Sequence, residues 1–294
     1  MDIISTRTKD GITLKAAFYN GTNSNTCLIF PGFAGNFVDN DFLRNISDFL
    51  NQKGYNVIFA NTRGSFNISS SNHPLNLEKP KRIGAVFEKF EDCIYDIDAW
   101  IDYIKANNLG NIHLIGHSSA NNKIIHYMNS ILDNKKEIHD IIMLAPPDFA
   151  DRIKHYKNYK DVIQEAKDNI IAGKENKIVN CGFLYKTSIS FLDMIASKNF
   201  DNFPLVNGNY NDFVKFRNIE KPLTIIVGSL DEYIYNYIDK IKEYSNPNYK
   251  CDIKVIQDGD HIFFGKDNEL AQVVFESIDL IDNKILTKRR DINE

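Results

Sequence analysis

The stretch Ile112-His113-Leu114-Ile115-Gly116-His117-Ser118-Ser119-Ala120 decides how this chain is read. Its first four residues are a short, mostly apolar run that stops at glycine, the pattern of a strand buried on both faces. Beyond it a helical period continues through Ile124, Ile125, Met128 and Ile131. A strand that turns within two residues into a helix crowds its own backbone, so small residues are needed two positions to either side of the turn. Gly116 and Ala120 meet that need, and Ser118 lies between them. A serine at such a turn lifts its hydroxyl above the end of the strand, clear of helix packing, where it can serve as a nucleophile. The same residues also suit an ordinary helix start capped by Ser119. The buried strand before them favours the first reading.

On either side of this stretch, strands and helices alternate. Ile3 to Arg7 and Thr13 to Tyr19 read as a hairpin turning at Asp10-Gly11. Thr26 to Phe30 and Asn56 to Ala60 are short buried strands, with a helical period through Phe42, Ile46, Phe49 and Leu50 between them and Gly54 closing that helix. Asn61 to about Lys81 reads as a polar loop. A long amphipathic helix follows through Phe87, Phe90, Ile94, Ile97, Ile101 and Ile104. Ile141 to Leu144, Leu223 to Val227 and Cys251 to Ile256 are further strands, and the last helix runs from about Glu269 through Ile281. This alternation predicts an α/β class with a mostly parallel central sheet and helices on both faces. It fails between residues 148 and 221, a stretch first helical and then aromatic and irregular. We read residues 1–147 and 222–294 as the core, and 148–221 as a cap inserted at the carboxyl edge of the sheet, where α/β folds bind ligands.

A nucleophilic serine needs a base and an orienting acid, brought to it by folding. Asp258-Gly259-Asp260-His261 follows the last strand and offers His261 as the base. Gly228-Ser229-Leu230-Asp231-Glu232 follows the strand before it and offers Asp231 as the acid, with Glu232 as the alternative. His117 reads as orienting backbone or packing, and the remaining histidines read as structural. A tetrahedral intermediate also needs two N–H donors. The backbone of Ser119, at the positive end of a helix, supplies one, and Phe33, in the loop Pro31-Gly32-Phe33-Ala34-Gly35, supplies the other.

The 294 residues carry 35 Lys+Arg against 39 Asp+Glu, a formal charge of −4, which gives no reason to expect nucleic acid or an anionic membrane as partner. The basic runs Lys79–Lys81–Arg82 and Lys288–Arg289–Arg290 are short and read as solvated surface. Four dispersed cysteines form no Cys-x-x-Cys pair, arguing against a zinc site and for a reducing compartment. Met1 to Arg7 lacks the features of a secretory signal, and no window approaches the ~18 apolar residues that suggest a membrane-spanning helix. The expectation is a cytoplasmic protein with no cofactor or metal, acting on a small molecule.

With these residues in place, the chain resembles the α/β-hydrolase superfamily over nearly its whole length. The order Ser118, Asp231, His261 is the superfamily's order, and Asn61-Thr62-Arg63-Gly64 is similar to its Asp-x-Arg-Gly segment, with Asn in place of Asp. Two stretches, Phe87 to Cys93 with Asp96 to Trp100, and Gly116 to Lys123, resemble a subgroup of bacterial and fungal hydrolases that includes siderophore ester hydrolases. Glu88, Glu91 and Asp92 read from the residues alone as the polar face of a helix. The resemblance implies a serine esterase or thioesterase with a Ser-His-Asp triad. The same residues would serve acyl transfer or cyclisation, and the same fold can host a non-catalytic ligand-binding role.

Overall fold

β1 (Asp2–Arg7) and β2 (Thr13–Tyr19) form the expected antiparallel hairpin, with Gly11 at φ 88° in its turn. The computed structural model describes residues 1–73, 76–231, 233–249 and 251–293, with side chains described for 1–72, 80–231, 233–249 and 251–282. β3 (Thr26–Phe30), α1 (Asp41–Gln52) and β4 (Asn56–Ala60) follow where the apolar pattern places them.

The polar loop is different. It holds β5 (Ser69–His73) and β6 (Asn76–Ile83), paired antiparallel as a separate hairpin. Ser71 Oγ accepts the Thr13 amide at 2.8 Å and docks this hairpin on β2, a side-chain tie that leaves no hydrophobic period to read. Of its basic run, Lys81 and Arg82 are exposed. The side chains of Lys79, Lys288, Arg289 and Arg290 lie outside the described residues.

α2 (Cys93–Ala106) starts six residues later than its period suggests. To extend it back to Phe87, the Glu88 carbonyl would have to accept an amide four residues on. That carbonyl instead accepts Lys186 Nζ at 2.9 Å and Ser190 Oγ. β7 (Ile112–His117) and α3 (Ala120–Met128) flank the turn at Ser118. α3 ends before Ile131, which is 96% exposed. β8 (Ile138–Leu144) starts three residues before its apolar run.

The stretch that breaks the alternation contains α4 (Phe149–Lys154), α5 (Tyr159–Ile171), β9 (Ile178–Cys181), β10 (Leu184–Thr187), α6 (Ser188–Ala196) and α7 (Val214–Arg217). β11 (Leu223–Gly228), α8 (Ile238–Tyr244), β12 (Cys251–Ile256) and α9 (Asp267–Asn293) complete the chain.

Eight strands make the central sheet in the order β1-β2-β4-β3-β7-β8-β11-β12, parallel from β4 to β12. Alternate residues of each strand face opposite layers. Leu28 and Phe30 of β3 pack with Ile97 and Trp100 of α2 and Ile124 of α3, whereas Cys27 and Ile29 pack with Leu43 of α1 and Val274 of α9. Each fully buried side chain of this kind stabilises the fold by roughly 1.5–3 kcal/mol.

Phe149, Ile153, Val162, Phe191, Met194 and Phe200 form a third cluster, which Phe90 and the partly buried Phe33 join. Phe203, Phe213, Phe216 and Ile219, from the later part of 148–221, pack instead into the α2/α3 layer. Among the described residues no helix is long and apolar enough to cross a membrane.

Candidate active site

Ser118 sits at φ 53°, in the left-handed region that a non-glycine residue enters only at a cost of order 1–2 kcal/mol. The surroundings hold it there. Its amide donates to the Leu144 carbonyl at 2.9 Å, prolonging the β7–β8 ladder, and its carbonyl accepts the Asn121 amide at 2.9 Å. A Cβ at Gly116 would lie 2.6 Å from both Asn121 Oδ1 and Ile124 Cδ1, so any larger residue there must displace those two side chains. Ser119 heads α3 without a side-chain cap, and its buried hydroxyl has no hydrogen-bond partner among the described residues, so the capping alternative is not realised.

The structure brings His261 and Asp231 to Ser118. His261 Nε2 stands 2.9 Å from Ser118 Oγ, placed to accept its proton, while His261 Nδ1 stands 2.8 Å from Asp231 Oδ2, placed to donate. Asp231 is 2% exposed, and its other oxygen accepts the Tyr233 amide at 3.2 Å. Glu232, the alternative acid, lies outside the described residues.

The loops carrying the acid and the imidazole are laced together. A Cβ at Gly228 would come within 2.1 Å of the Gly259 carbonyl oxygen, which accepts the Leu230 amide at 2.9 Å. Asp260 Oδ1 accepts the amides of Ile262 and Phe264 and so closes the turn around His261.

The Pro31–Gly35 loop lies against the serine, for a Cβ at Gly32 would be 2.9 Å from Ser118 Cβ. Gly35 N–H donates to the Gly32 carbonyl, and Ala34 sits at φ 55°. The Phe33 ring meets Phe149 and Phe183 at 6.1 and 5.6 Å.

Phe33 and Ser119 share a small pocket of about 20 Å³ with Phe90, Phe149, Met194 and Phe200. Glu88, Lys123 and Lys186 also line it. Glu88 is therefore not on a solvated helix face, because it is buried and ion-paired with Lys123 at 2.5 Å. Burial disfavours the Lys123 cation, yet Glu88 outweighs it and raises its pKa. Burial pulls Lys186 down to about 8. Among the described residues no group of three or more His, Cys, Asp or Glu could hold a metal ion.

Two further residues border the site. His117 Nε2 donates to the His261 carbonyl at 2.9 Å. Arg152 of α4 stacks on Tyr233 at 4.1 Å and on Phe183 at 5.1 Å, and the Tyr233 ring stands edge-on to His261 at 6.0 Å. Arg152 has no sequence signal, because a cation between two rings is defined only after distant loops converge.

Similar folds occur among solved structures. The esterase Pf2001 of Pyrococcus furiosus matches with a TM-score of 0.58 at 19% identity, over 95% of this chain and 89% of that one. Est1E from Butyrivibrio proteoclasticus, solved with ferulic acid bound, matches with a TM-score of 0.62 at 17% identity, over 93% and 97%. The α/β hydrolase GrgF from Penicillium sp. sh18 matches with a TM-score of 0.64 at 14% identity, over 96% and 98%. At such identities the likeness is one of fold, and the chain has the α/β-hydrolase fold. No curated protein matches the sequence significantly. A family model described as a protein of unknown function, DUF1749, matches residues 89–273, more than half of the chain, and the chain belongs to that family.

Proposed function

We propose that the protein is a serine hydrolase that cleaves a carboxylic ester or a related acyl bond of a small molecule. The observation that carries this reading is the continuous relay from Ser118 Oγ to His261 Nε2, and from His261 Nδ1 to Asp231, with both contacts under 3 Å. In this reading Ser118 attacks the acyl carbon while His261 takes its proton and then returns it to the leaving alkoxide or thiolate. Asp231 fixes the imidazole tautomer and stabilises the imidazolium. Water, deprotonated by the same imidazole, then releases the acid from the acyl-enzyme. The N–H groups of Phe33 and Ser119 receive the developing oxyanion, and a donor of this kind is worth ~2.7–4 kcal/mol in the transition state.

The lining beside Ser119 and Phe33 is largely apolar and its charged groups are already engaged, which favours an apolar acyl group over a charged one. Lys123 pairs with Glu88, and Lys186 donates to the carbonyls of Ala85 and Glu88. The stretch 148–221 then acts as the cap, with residues 149–200 supplying the cluster beside this pocket. The four cysteines are free thiols, in keeping with a reducing cytoplasm. A fluorophosphonate probe tests the assignment. Wild-type protein is expected to label and the Ser118→Ala variant not to label, and labelling that survives in the variant rejects Ser118 as nucleophile.

A further inference from the structure

We propose that His117 is a positioning residue for His261, holding the backbone of the base through a side chain that is next to the nucleophile in sequence. The inference rests on the reading of Ser118, His261 and Asp231 as the catalytic set. A carbonyl oxygen only accepts, so the 2.9 Å contact between His117 Nε2 and the His261 carbonyl places the proton on Nε2. His117 Nδ1 is then a bare lone pair, buried and with no hydrogen-bond partner among the described residues. The ring has little freedom. It meets the edge of Phe42 at 4.9 Å and the tilted ring of His261 at 5.4 Å, and a Cβ at Gly32 would stand 3.4 Å from Nδ1. Burial, with His261 beside it, lowers its pKa to about 3, so the ring stays a neutral donor and adds no charge beside the base.

The bond answers a geometric need. His261 lies in a loop beyond the end of β12, and its imidazole is fixed at Nδ1 by Asp231 alone. A tie on its backbone carbonyl fixes the Cα from which the ring hangs. Because the tie starts from the residue preceding Ser118, a shift of the turn carries hydroxyl and imidazole together and preserves the distance between Oγ and Nε2.

The test uses full-length protein and 4-nitrophenyl butyrate. Loss of the tie is expected to lower kcat about 10–100-fold, the scale of a 1 Å misplacement, with KM within about threefold. His117→Phe keeps an aromatic ring and removes the donor. His117→Gln removes the ring and returns an N–H near the Nε2 position. Positioning therefore predicts Gln well above Phe in kcat, whereas a packing role predicts the reverse. Phe equal to or above Gln overturns the proposal. If the Phe variant does not fold, as judged by its urea transition, His117→Asn replaces it, since an Asn amide reaches only the Nδ1 position. Ser118→Ala separates the two levels. Full activity in that variant overturns the catalytic reading itself, whereas an inactive Ser118→Ala beside a normal His117→Phe overturns only the role of His117.

Discussion

Among the described residues, two histidine–aspartate pairs at opposite ends of the parallel strands behave as opposites. At the carboxyl end, Asp231 engages His261 Nδ1, and the other ring nitrogen looks onto a serine hydroxyl. At the amino end, Asp140 at the start of β8 engages Nδ1 of His113, its register partner on β7. The Nε2 of His113 looks onto the carboxylate of Asp282 in α9 at 3.7 Å. Asp282 also accepts hydrogen bonds from Tyr55 and Asn25, so this pair fastens α9 to the sheet. The His113 side chain is fully buried, whereas that of His261 is 21% exposed. A histidine–carboxylate pair is therefore not by itself a catalytic device. Facing a serine hydroxyl at the carboxyl edge suits one pair to the proposed chemistry, and facing a second carboxylate in the interior makes the other a clamp.

Substitutions can break or sharpen this contrast. The largest effect is expected for Ser118→Ala, where kcat for an activated ester should fall by about 10⁶-fold, as steady-state assays would reveal. Asp231→Asn should cost about 10⁴-fold in kcat by favouring the wrong tautomer of His261.

The matching change at the other end, Asp140→Asn, should leave kcat within a few-fold and lower stability by about 1–3 kcal/mol in urea unfolding, because it removes the carboxylate that engages the buried His113 Nδ1. A large loss of kcat in folded Asp140→Asn would dissolve the contrast. That pair also carries a pH signature. Burial disfavours the His113 cation, but Asp140 and then Asp282 outweigh burial and raise its pKa above 6.5. A raised folded pKa stabilises fully below the unfolded value of about 6.5 and is lost as pH climbs through the folded value. Wild-type unfolding midpoints should therefore decline as pH rises from about 6.5 through the folded value, and Asp140→Asn should flatten the decline. The smallest effect is expected for Arg152→Met, about 0.5–1 kcal/mol of stability, since its stacking between Phe183 and Tyr233 is half-buried.

Much of this was legible in the residues. The parallel strands announce themselves as short apolar runs, and the elbow as Gly116-His117-Ser118-Ser119-Ala120. Asp231 and His261 could be found because each follows a strand directly. What escaped reading was made by polar side chains acting over long separations. The hairpin of β5 and β6 hangs on Ser71, and the late start of α2 follows from Lys186 taking the carbonyls of Ala85 and Glu88. Glu88 looked like a solvated residue because its partner Lys123 is 35 positions away.

By itself, the sequence determined the strands of the central sheet, the helices between them and the three residues that can form a relay, because periodicity and turn chemistry act over a few neighbouring positions. Only the tertiary structure decided which histidine–aspartate pair opens onto a serine and which is sealed against α9, and that His117 bonds the backbone of His261. These depend on burial and on distances between residues more than a hundred positions apart, and such proximity comes into being only when the sheet assembles.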